Sequence, residues 1–447
     1  MKKTFGFSLM LGEYGLLWRM ARPVLARHKR LRDDFFMRKV PDAWKPDRPV
    51  DIWIQAASGG ESLLTRQLLG ELHTLAGNHD VQNPLRILCT SCTRQGLDVL
   101  NAARKHAETA WPNLAVTVRV FPLDEPAIIR RAVEFASPKA VVLLETELWP
   151  GLMTACAERE VPILMVNGRM TEKSFSGYRW FRPLWKQVAP VRVLAMADAD
   201  AARFAALFGK DPVSVMPNMK FDAVPLASPS PDPESPVRKI LPPEASMVLL
   251  ASVREEEETL LVPVLEYLRE HSPHAVVTVA PRHMERVSTW EALLAGVFGP
   301  QNTLRYSVLA TTGGHAMPGQ TLLWDGFGQL LALYARANSV FVGGSLAPLG
   351  GQNFLEAAGQ GRVPVIGPYW KNFAWVGEEF FSAGLGKQVD SAGALGPALA
   401  ASLENPADPE TVRLKMTAYI APRRGGSRMA AEAVWEVMVA GGEGKTF

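Results

Sequence analysis

The stretch VDIWIQAASGGESLLTRQLLGELHTL, residues 50–75, joins a short β-rich run to a longer segment of helical spacing. The run at 50–57 is mostly apolar, as is typical of a strand that is buried on both faces. Gly59 and Gly60 permit a sharp turn, and the leucines after them recur at three- and four-residue intervals. Strand, turn and helix in this order predict one step of a parallel α/β sheet.

The same alternation continues on both sides of one interruption. β-Rich runs before it are predicted at 85–91, 115–121, 139–144, 161–166 and 191–197. The interruption, LASPSPDPESPVRKILPP at 226–243, has the Pro/Ser-rich composition of a linker. Further β-rich runs follow at 246–251, 274–280, 320–324, 338–344 and 363–367. We therefore predict two Rossmann-like α/β domains, with a ligand in the cleft between them at the carboxyl ends of the strands.

The predicted boundaries divide the 447 residues into five parts. They are a basic arm at 1–48, a first α/β domain at 49–225, the linker at 226–243, a second α/β domain at 244–426, and a helix and tail at 427–447. The last helix could pack on either domain. With 47% hydrophobic residues the chain can fill sizeable cores, and its three cysteines cannot form a disulfide framework.

Charge is unevenly distributed along the chain. Residues 1–48 hold twelve Lys or Arg and five Asp or Glu, a net charge of +7, whereas the whole chain carries +3. A nucleic-acid footprint would spread over a binding domain, so no nucleic-acid partner is predicted. The arm's apolar run, FGFSLMLGEYGLLWRMARPVL, is interrupted by Glu13, Arg19 and Arg22. It therefore lacks the roughly 20 uninterrupted apolar residues of a bilayer-spanning helix, and we expect a peripheral or N-terminally anchored protein.

We expect the arm to form an interfacial helix on an anionic membrane surface. The apolar side chains expected at the acyl boundary are Phe5, Leu9, Leu16, Leu17 and Trp18. The alternative is a helix that packs on its own domain.

Several common chemistries are absent from the sequence. No GxGxxG follows a strand, and the chain has no phosphate-binding P-loop, HExxH or GxSxG motif. Asp198-Ala-Asp200 could hold a metal with a nucleotide sugar. Because it leads into the helical AARFAALFG, we expect Asp200 to be a helix cap instead, and we predict no metal site.

The second domain carries three glycine- or proline-containing turns after strands. They are Pro281-Arg282-His283, Gly326-Phe327-Gly328-Gln329 and the glycine-rich GGSLAPLGGQNFLEAAGQG at 343–361. Arg282 can neutralise a phosphate, free backbone N–H groups at a helix start attract one, and Glu356 can accept hydrogen bonds from sugar hydroxyls. The three turns predict a nucleotide site, and the alternative is a set of capped helices and loop glycines.

Seven ordered motifs make the chain resemble the Kdo (3-deoxy-D-manno-octulosonic acid) transferases, which build the inner core of lipopolysaccharide. They are SGGE at 58–61, LETELWP at 144–150, NGRMT at 167–171, PNMKFD at 217–222, PRHMERV at 281–287, GGSLAPLGGQNFLEAA at 343–358 and GPYWKNF at 367–373. The resemblance implies a GT-B-like α/β fold, in which two Rossmann-like domains with parallel sheets face each other across a cleft. It also implies a CMP-Kdo donor, a lipid A precursor as acceptor, and a place at the cytoplasmic face of the inner membrane.

The resemblance assigns roles to individual residues. Glu61 becomes the base that deprotonates the acceptor hydroxyl in an inverting, metal-independent transfer, and Glu145 and Lys220 assist the transition state. The donor-binding residues implied are Pro281, Arg282, Phe327, Gly328, Gln329, Asn353, Phe354, Leu355 and Glu356. No cofactor is implied.

Departures from the family pattern lie beside the donor site, such as Arg254 and Glu256 within SVREEEE at 252–258, Gln329 and Gln352. They leave two other interpretations open. One is a different GT-B glycosyltransferase that uses another nucleotide sugar on a lipid or polysaccharide. The other is a non-catalytic membrane-surface protein, against which the joint presence of the three implied catalytic residues and Arg282 argues.

Overall fold

The computed structural model describes residues 5–28, 31–79, 81–146, 148–226 and 235–442, with no side-chain account for 5–9 and 441–442. The chain divides into two compact units. Unit 1 combines residues 1–223 with residues 423–447, and unit 2 is formed by residues 224–422. Each unit is built on its own sheet of seven parallel strands within the described residues.

The sheet of unit 1 has the strand order β3-β2-β1-β4-β5-β6-β7. Its strands are β1 (Ile52–Ala56), β2 (Leu85–Ser91), β3 (Leu114–Val120), β4 (Ala140–Leu144), β5 (Ile163–Gly168), β6 (Arg192–Ala195) and β7 (Val213–Val215). All residues of β1 and of β4 are buried. This is expected of central strands in a parallel sheet, which helices cover on both faces.

Two apolar layers enclose this sheet. Trp53 and Val141 point into one layer, and their neighbours Ile54 and Val142 point into the other, with the period of two that a strand imposes. The helices of unit 1 are α1 (Phe5–Leu25), α2 (Gly59–Asn78), α3 (Arg94–Ala110), α4 (Pro126–Ala136), α5 (Pro150–Glu158), α6 (Glu172–Tyr178), α7 (Arg182–Gln187), α8 (Asp198–Phe208) and, from the chain's end, α18 (Gly426–Gly442).

Unit 2 repeats the plan with the strand order β10-β11-β9-β8-β12-β13-β14. Its strands are β8 (Ser246–Val253), β9 (Ala275–Pro281), β10 (Thr303–Arg305), β11 (Thr321–Leu323), β12 (Ser339–Val342), β13 (Pro364–Ile366) and β14 (Lys387–Gln388). Its helices are α9 (Pro236–Ile240), α10 (Glu258–His271), α11 (Val287–Phe298), α12 (Tyr306–Thr312), α13 (Leu330–Arg336), α14 (Leu355–Gly359), α15 (Glu379–Ser382), α16 (Ala392–Glu404) and α17 (Pro409–Ile420). Both units are Rossmann-like.

The unit boundaries fall at 223/224 and 422/423. Within the expected linker, residues 235–243 include α9, whose Val237 and Ile240 are buried, so this part is packed structure; residues 227–234 lie outside the described ones. Helix α18 belongs to unit 1 and shares an apolar layer with α2. Residues 443–447 of the expected tail are outside the described residues as well.

The expected basic arm at 1–48 is divided between packed and exposed parts. Arg38, Val40 and Trp44 are buried in unit 1, because they cover one end of its sheet: Trp44 Nε1 donates to the Val120 carbonyl at 3.0 Å. These residues are part of the domain and not of a separate arm. Phe5 and Leu9, which we expected at a membrane, have side chains outside the described set.

Helix α1 contacts the domain along one side. The Tyr14 hydroxyl donates to Asp124 Oδ2 at 2.9 Å, Arg22 pairs with Glu125 at 3.3 Å, and Leu11 is buried. Leu16 and Leu17 point to solvent and Trp18 is half-buried. In the part of the chain that the structure describes, no helix is both long and apolar enough to cross a membrane.

Candidate active site

Glu61 lies in the first turn of α2, directly after β1. Ser58 is the N-cap of this helix, and its hydroxyl accepts the Glu61 N–H in a capping box. In return Glu61 Oε2 accepts hydrogen bonds from the N–H groups of Ala57 and Ser58, the latter at 3.0 Å. The turn SGGE therefore fixes the carboxylate at the carboxyl edge of the sheet and leaves Oε1 outside these two bonds.

Glu145 is placed by the end of the neighbouring strand, β4. Its N–H donates to the Val166 carbonyl on β5 at 3.1 Å, and its φ of 55° lies in the left-handed region. A glutamate rarely adopts this conformation, and such strain concentrates at functional sites.

Lys220 lies on a 3₁₀ turn, Met219–Phe221, after β7. Its Nζ is 2.6 Å from Glu145 Oε1, and both side chains are mostly buried. The structure thus pairs two of the three implied catalytic residues directly, although 74 residues lie between them in the chain.

Glu61 is electrostatically linked to this pair. Burial raises the pKa of Glu61 to about 7, with a further increase from the neighbouring carboxylate of Glu145. The Ser58 and Ala57 N–H groups and the Lys220 ammonium oppose the increase. A carboxylate with a pKa close to neutral is suited to take a proton from a hydroxyl group, and a shifted pKa beside a charged pair marks a candidate functional site.

In unit 2, Arg282 and Glu356 lie close enough to interact. Asn353 Nδ2 donates to Glu356 Oε1 at 2.9 Å. Burial raises the pKa of the Glu356 carboxyl, while the Asn353 hydrogen bond and the Arg282 guanidinium oppose that shift. Arg282 follows β9 and is exposed. A cation and hydrogen-bond acceptors therefore occur together at the carboxyl edge of this sheet.

The other predicted donor residues divide by exposure. Phe327 and Gly328 are exposed on the loop before α13, and Gln329, at the start of that helix, has a buried Oε1 without a partner among the described residues. Pro281, Phe354 and Leu355 are buried. Because the Phe354 ring packs against Phe373, Phe380 and Phe381, only the backbone there could contact a ligand.

Three backbone amides of the glycine-rich turn, ahead of the helix start at which we expected phosphate to bind, are engaged within the protein. The fully buried carboxylate of Glu257 accepts hydrogen bonds from the N–H groups of Gly344, Ser345 and Leu346 at 2.6, 3.0 and 2.9 Å. The following helix, α14, has five residues. Sequence reasoning missed Glu257; its available signal was the run of four glutamates, 255–258, directly after β8.

Asp200 does not cap its own helix, contrary to expectation. Helix α8 begins at Asp198 with Ala197 as N-cap, and Asp200 Oδ1 accepts the Met170 N–H from the loop after β5 at 2.8 Å. Arg203 lies 3.7 Å from the same oxygen. Among the residues that the structure describes, no group of three or more His, Cys, Asp or Glu could hold a metal ion.

Residues 26–223 match a family model described as 3-deoxy-D-manno-octulosonic-acid transferase (kdotransferase). A 3-deoxy-D-manno-octulosonic acid transferase of Bordetella pertussis is 28% identical over 435 residues, which cover 94% of each chain. The chain is thus similar to Kdo transferases along nearly its whole length. A Haemophilus influenzae relative of the same name is 26% identical over 331 residues, 73% of this chain and 72% of its own.

Solved structures support the fold. A glycosyltransferase from Rickettsia africae superposes with a TM-score of 0.56 at 12% identity, over 88% of this chain and 99% of its own. At that identity the likeness concerns the fold alone. Together with two Rossmann-like units it confirms the predicted GT-B-like class. The similarity to named transferases supports glycosyltransferase activity.

Proposed function

We propose that this protein is a Kdo transferase that moves Kdo from CMP-Kdo to a lipid A precursor, with inversion, and without a metal ion. The observation that carries the proposal is the buried Glu61 carboxyl, with its pKa of about 7, next to the Lys220–Glu145 ion pair. Such a group can accept the proton of an attacking sugar hydroxyl near neutral pH, because a general base is most effective when its pKa is close to the operating pH.

In the proposed reaction, Glu61 removes the proton of the acceptor hydroxyl as its oxygen attacks the anomeric carbon of Kdo. The bond between that carbon and the phosphate oxygen of CMP breaks, and its electron pair leaves with the phosphate. Direct attack from the opposite side inverts the anomeric centre. Lys220 supplies positive charge to the developing negative charge, and Glu145 holds Lys220 in place.

Arg282 is the proposed partner of the donor phosphate, since a guanidinium can bind its oxygens in bidentate fashion. Glu356 and Asn353 offer oxygens to hydroxyl groups of the nucleotide. These groups can meet the charge of the departing CMP without a metal, so activity is expected to persist in EDTA.

An exposed apolar surface on unit 1 supports the proposal of a lipid acceptor and of a place at the cytoplasmic face of the inner membrane. α1 exposes Leu16, Leu17, Met20 and Val24, and the turn between α6 and α7 exposes Trp180 to 80% and Phe181 to 48%. We call these six side chains the apolar surface. An apolar groove of about 780 Å³ separates α1 from α6 and α7.

Cations surround the apolar surface on the α6–α7 side. They are Lys173, Arg179, Arg182 and Lys186, and none of the four has a carboxylate partner in the described part of the chain. Exposed aromatic and aliphatic side chains with interspersed cations fit an anionic lipid interface. The proposal therefore assigns the membrane contact to α1 together with the α6–α7 turn, and not to the N-terminal segment alone.

The experiment is mass spectrometry of the products after incubation with a lipid A precursor and CMP-Kdo, with and without EDTA. A panel of UDP and GDP sugars runs in parallel. The proposal predicts a mass increase of one or more Kdo residues with CMP-Kdo only, unchanged in EDTA. A product with another sugar would favour a different donor, and no product with any donor would favour the non-catalytic alternative.

A further inference from the structure

Asn167 lies at the carboxyl end of β5, one residue beyond the carbonyl that Glu145 contacts. It is fully buried, and its φ of 53° places it in the left-handed region, as for Glu145. Asparagine tolerates this conformation better than most residues. Two neighbouring strands therefore end in the same unusual backbone conformation at the candidate active site.

The Asn167 side chain reaches the segment that carries Lys220. Its Oδ1 accepts the Met219 N–H at 2.9 Å, a bond between residues 52 positions apart. The backbone N–H of Asn167 donates to Met216 Sδ at 3.2 Å. Met219 begins the 3₁₀ turn of Lys220, and Met216 lies just before that turn. Asn167 therefore contacts both the first residue of the turn and the segment that leads into it.

We propose that Asn167 is a positioning residue that fastens the Lys220 turn to the strand ends at Glu145, so that Lys220 stays paired with Glu145 during transfer. The inference rests on the proposed function of these two residues. A lysine side chain is long and flexible, so a fixed backbone beneath Lys220 restricts the positions of its ammonium and favours the 2.6 Å ion pair. Asn167 Nδ2 is buried without a hydrogen-bond partner among the described residues, so the Oδ1 bond is the contact that this role uses.

A merely structural asparagine would show a different signature. Loss of a buried hydrogen bond lowers stability, but it does not by itself alter the ionisation of Glu61. Displacement of Lys220 does alter that ionisation. The Lys220 ammonium lowers the pKa of Glu61, and it also compensates the charge of the Glu145 carboxylate, which raises the pKa of Glu61. A positioning role is therefore visible in the pH profile.

The first variant is Asn167→Gly, since glycine accepts the positive φ without strain. We expect kcat to fall about 10- to 100-fold with the donor KM within a few-fold, and the acidic limb of the kcat profile to move to higher pH. Asn338→Gly is the matched control: Asn338 Oδ1 accepts the Met247 N–H at 2.9 Å in unit 2. Asn338→Gly should lower Tm without moving the acidic limb of the kcat profile.

The second variant, Met219→Pro, removes the N–H donor itself. Proline is tolerated at the first position of a helical turn, and Asn218, with φ −68° and ψ 120°, already has the conformation that a residue before proline needs. Met219→Ala controls for the lost side chain. Compared with Met219→Ala, Met219→Pro should show the same defects as Asn167→Gly. The double variant Asn167→Gly/Met219→Pro should be no worse than Met219→Pro alone.

Two results would overturn the inference: an unmoved acidic limb in Asn167→Gly, or additive effects of the Gly and Pro substitutions. A ¹³C NMR titration of the Glu61 carboxyl measures the same shift without substrate. A wild-type protein that transfers no Kdo would overturn the proposed function, whereas an unshifted Glu61 titration in Asn167→Gly would overturn this inference alone.

Discussion

Lys220 Nζ and Glu145 Oε1 lie 2.6 Å apart, in side chains that are 25% and 16% exposed. At this burial the pair is partly screened by water, so its importance lies in geometry more than in stability. Glu145 fixes the ammonium beside Glu61, and the cation in turn keeps the pKa of Glu61 from rising further.

Lys220→Met keeps most of the side-chain length and removes the charge. We expect kcat to fall on the order of 10²-fold, because an electrostatic contribution to the transition state is lost. The acidic limb should move to higher pH because Glu61 loses its cation. Steady-state kinetics across pH measure both. Lys210→Met, on the solvent-facing loop after α8, is the control, and a Lys220→Met profile that matches wild type would remove Lys220 from the mechanism.

Glu61 also makes stability depend on pH. Its folded pKa of about 7 exceeds the ordinary value of 4.5, so the folded state holds this proton more tightly than the unfolded state does. The contribution of this proton to stability is complete below about pH 4.5 and is lost as the pH rises through about 7.

The side chain of the Glu61→Gln variant does not ionise, so this variant does not lose stability at position 61 as the pH rises. The Tm of the variant should therefore gain on wild type as the pH rises from about 4.5 through about 7. Thermal unfolding at several pH values tests this, with Glu13→Gln on the solvent side of α1 as control. A Tm difference that stays constant with pH would mean that burial does not raise the pKa of Glu61.

Glu257 holds the glycine-rich turn through three of its backbone N–H groups, those of Gly344, Ser345 and Leu346, and also accepts the Arg254 N–H. Glu257→Gln would place an NH₂ group against N–H donors. We expect a loss of stability of about 1–3 kcal/mol and a weaker donor affinity, since this turn leads to Asn353. Thermal unfolding and calorimetric titration with CMP-Kdo measure the two effects.

Glu266→Gln is the matched control for that variant, since Glu266 is exposed on α10 of the same unit. Unchanged Tm and unchanged donor affinity in Glu257→Gln would show that the turn keeps its shape without the carboxylate.

The fold was predictable where burial leaves a mark on the sequence. All eleven predicted β-rich runs contain strands, because central parallel strands need continuous apolar residues. The three missed strands, β7, β10 and β14, are two or three residues long and lie at sheet edges. Their residues are exposed or half-buried, so nothing distinguishes them from loops in the sequence.

The site was predictable only through the family resemblance. No local pattern indicates that Glu61, Glu145 and Lys220 meet, since the ends of separate strands bring them together. Glu257 was missed for the same reason, because its partners lie nearly ninety residues away, at 344–346. Asp200 was assigned to its own helix start, whereas its actual partner is the Met170 N–H of another loop.

If the apolar surface contacts a membrane, charged substitutions on it should weaken vesicle binding. Leu17→Glu and Trp180→Glu change side chains that are 64% and 80% exposed, so folding should be preserved. Each should weaken sedimentation with anionic vesicles about ten-fold, since a buried apolar side chain contributes about 1.5–3 kcal/mol. Activity should fall more on vesicle-embedded acceptor than on detergent-dispersed acceptor.

Leu414→Glu, at a 63% exposed leucine of unit 2, is the control for that surface. Equal losses in both acceptor formats, or unchanged sedimentation, would mean that α1 only packs on its own domain.

The most direct test of the central claim is the turnover of Glu61→Gln with CMP-Kdo and a lipid A precursor, measured beside its affinity for CMP-Kdo. Glutamine keeps the size of the side chain and removes its basicity. The account predicts a loss of turnover on the order of 10²–10⁴ with donor affinity within a few-fold of wild type. Glu108→Gln, on the surface of α3, should match wild type. Turnover of Glu61→Gln close to that of wild type would contradict the assignment of Glu61 as the base.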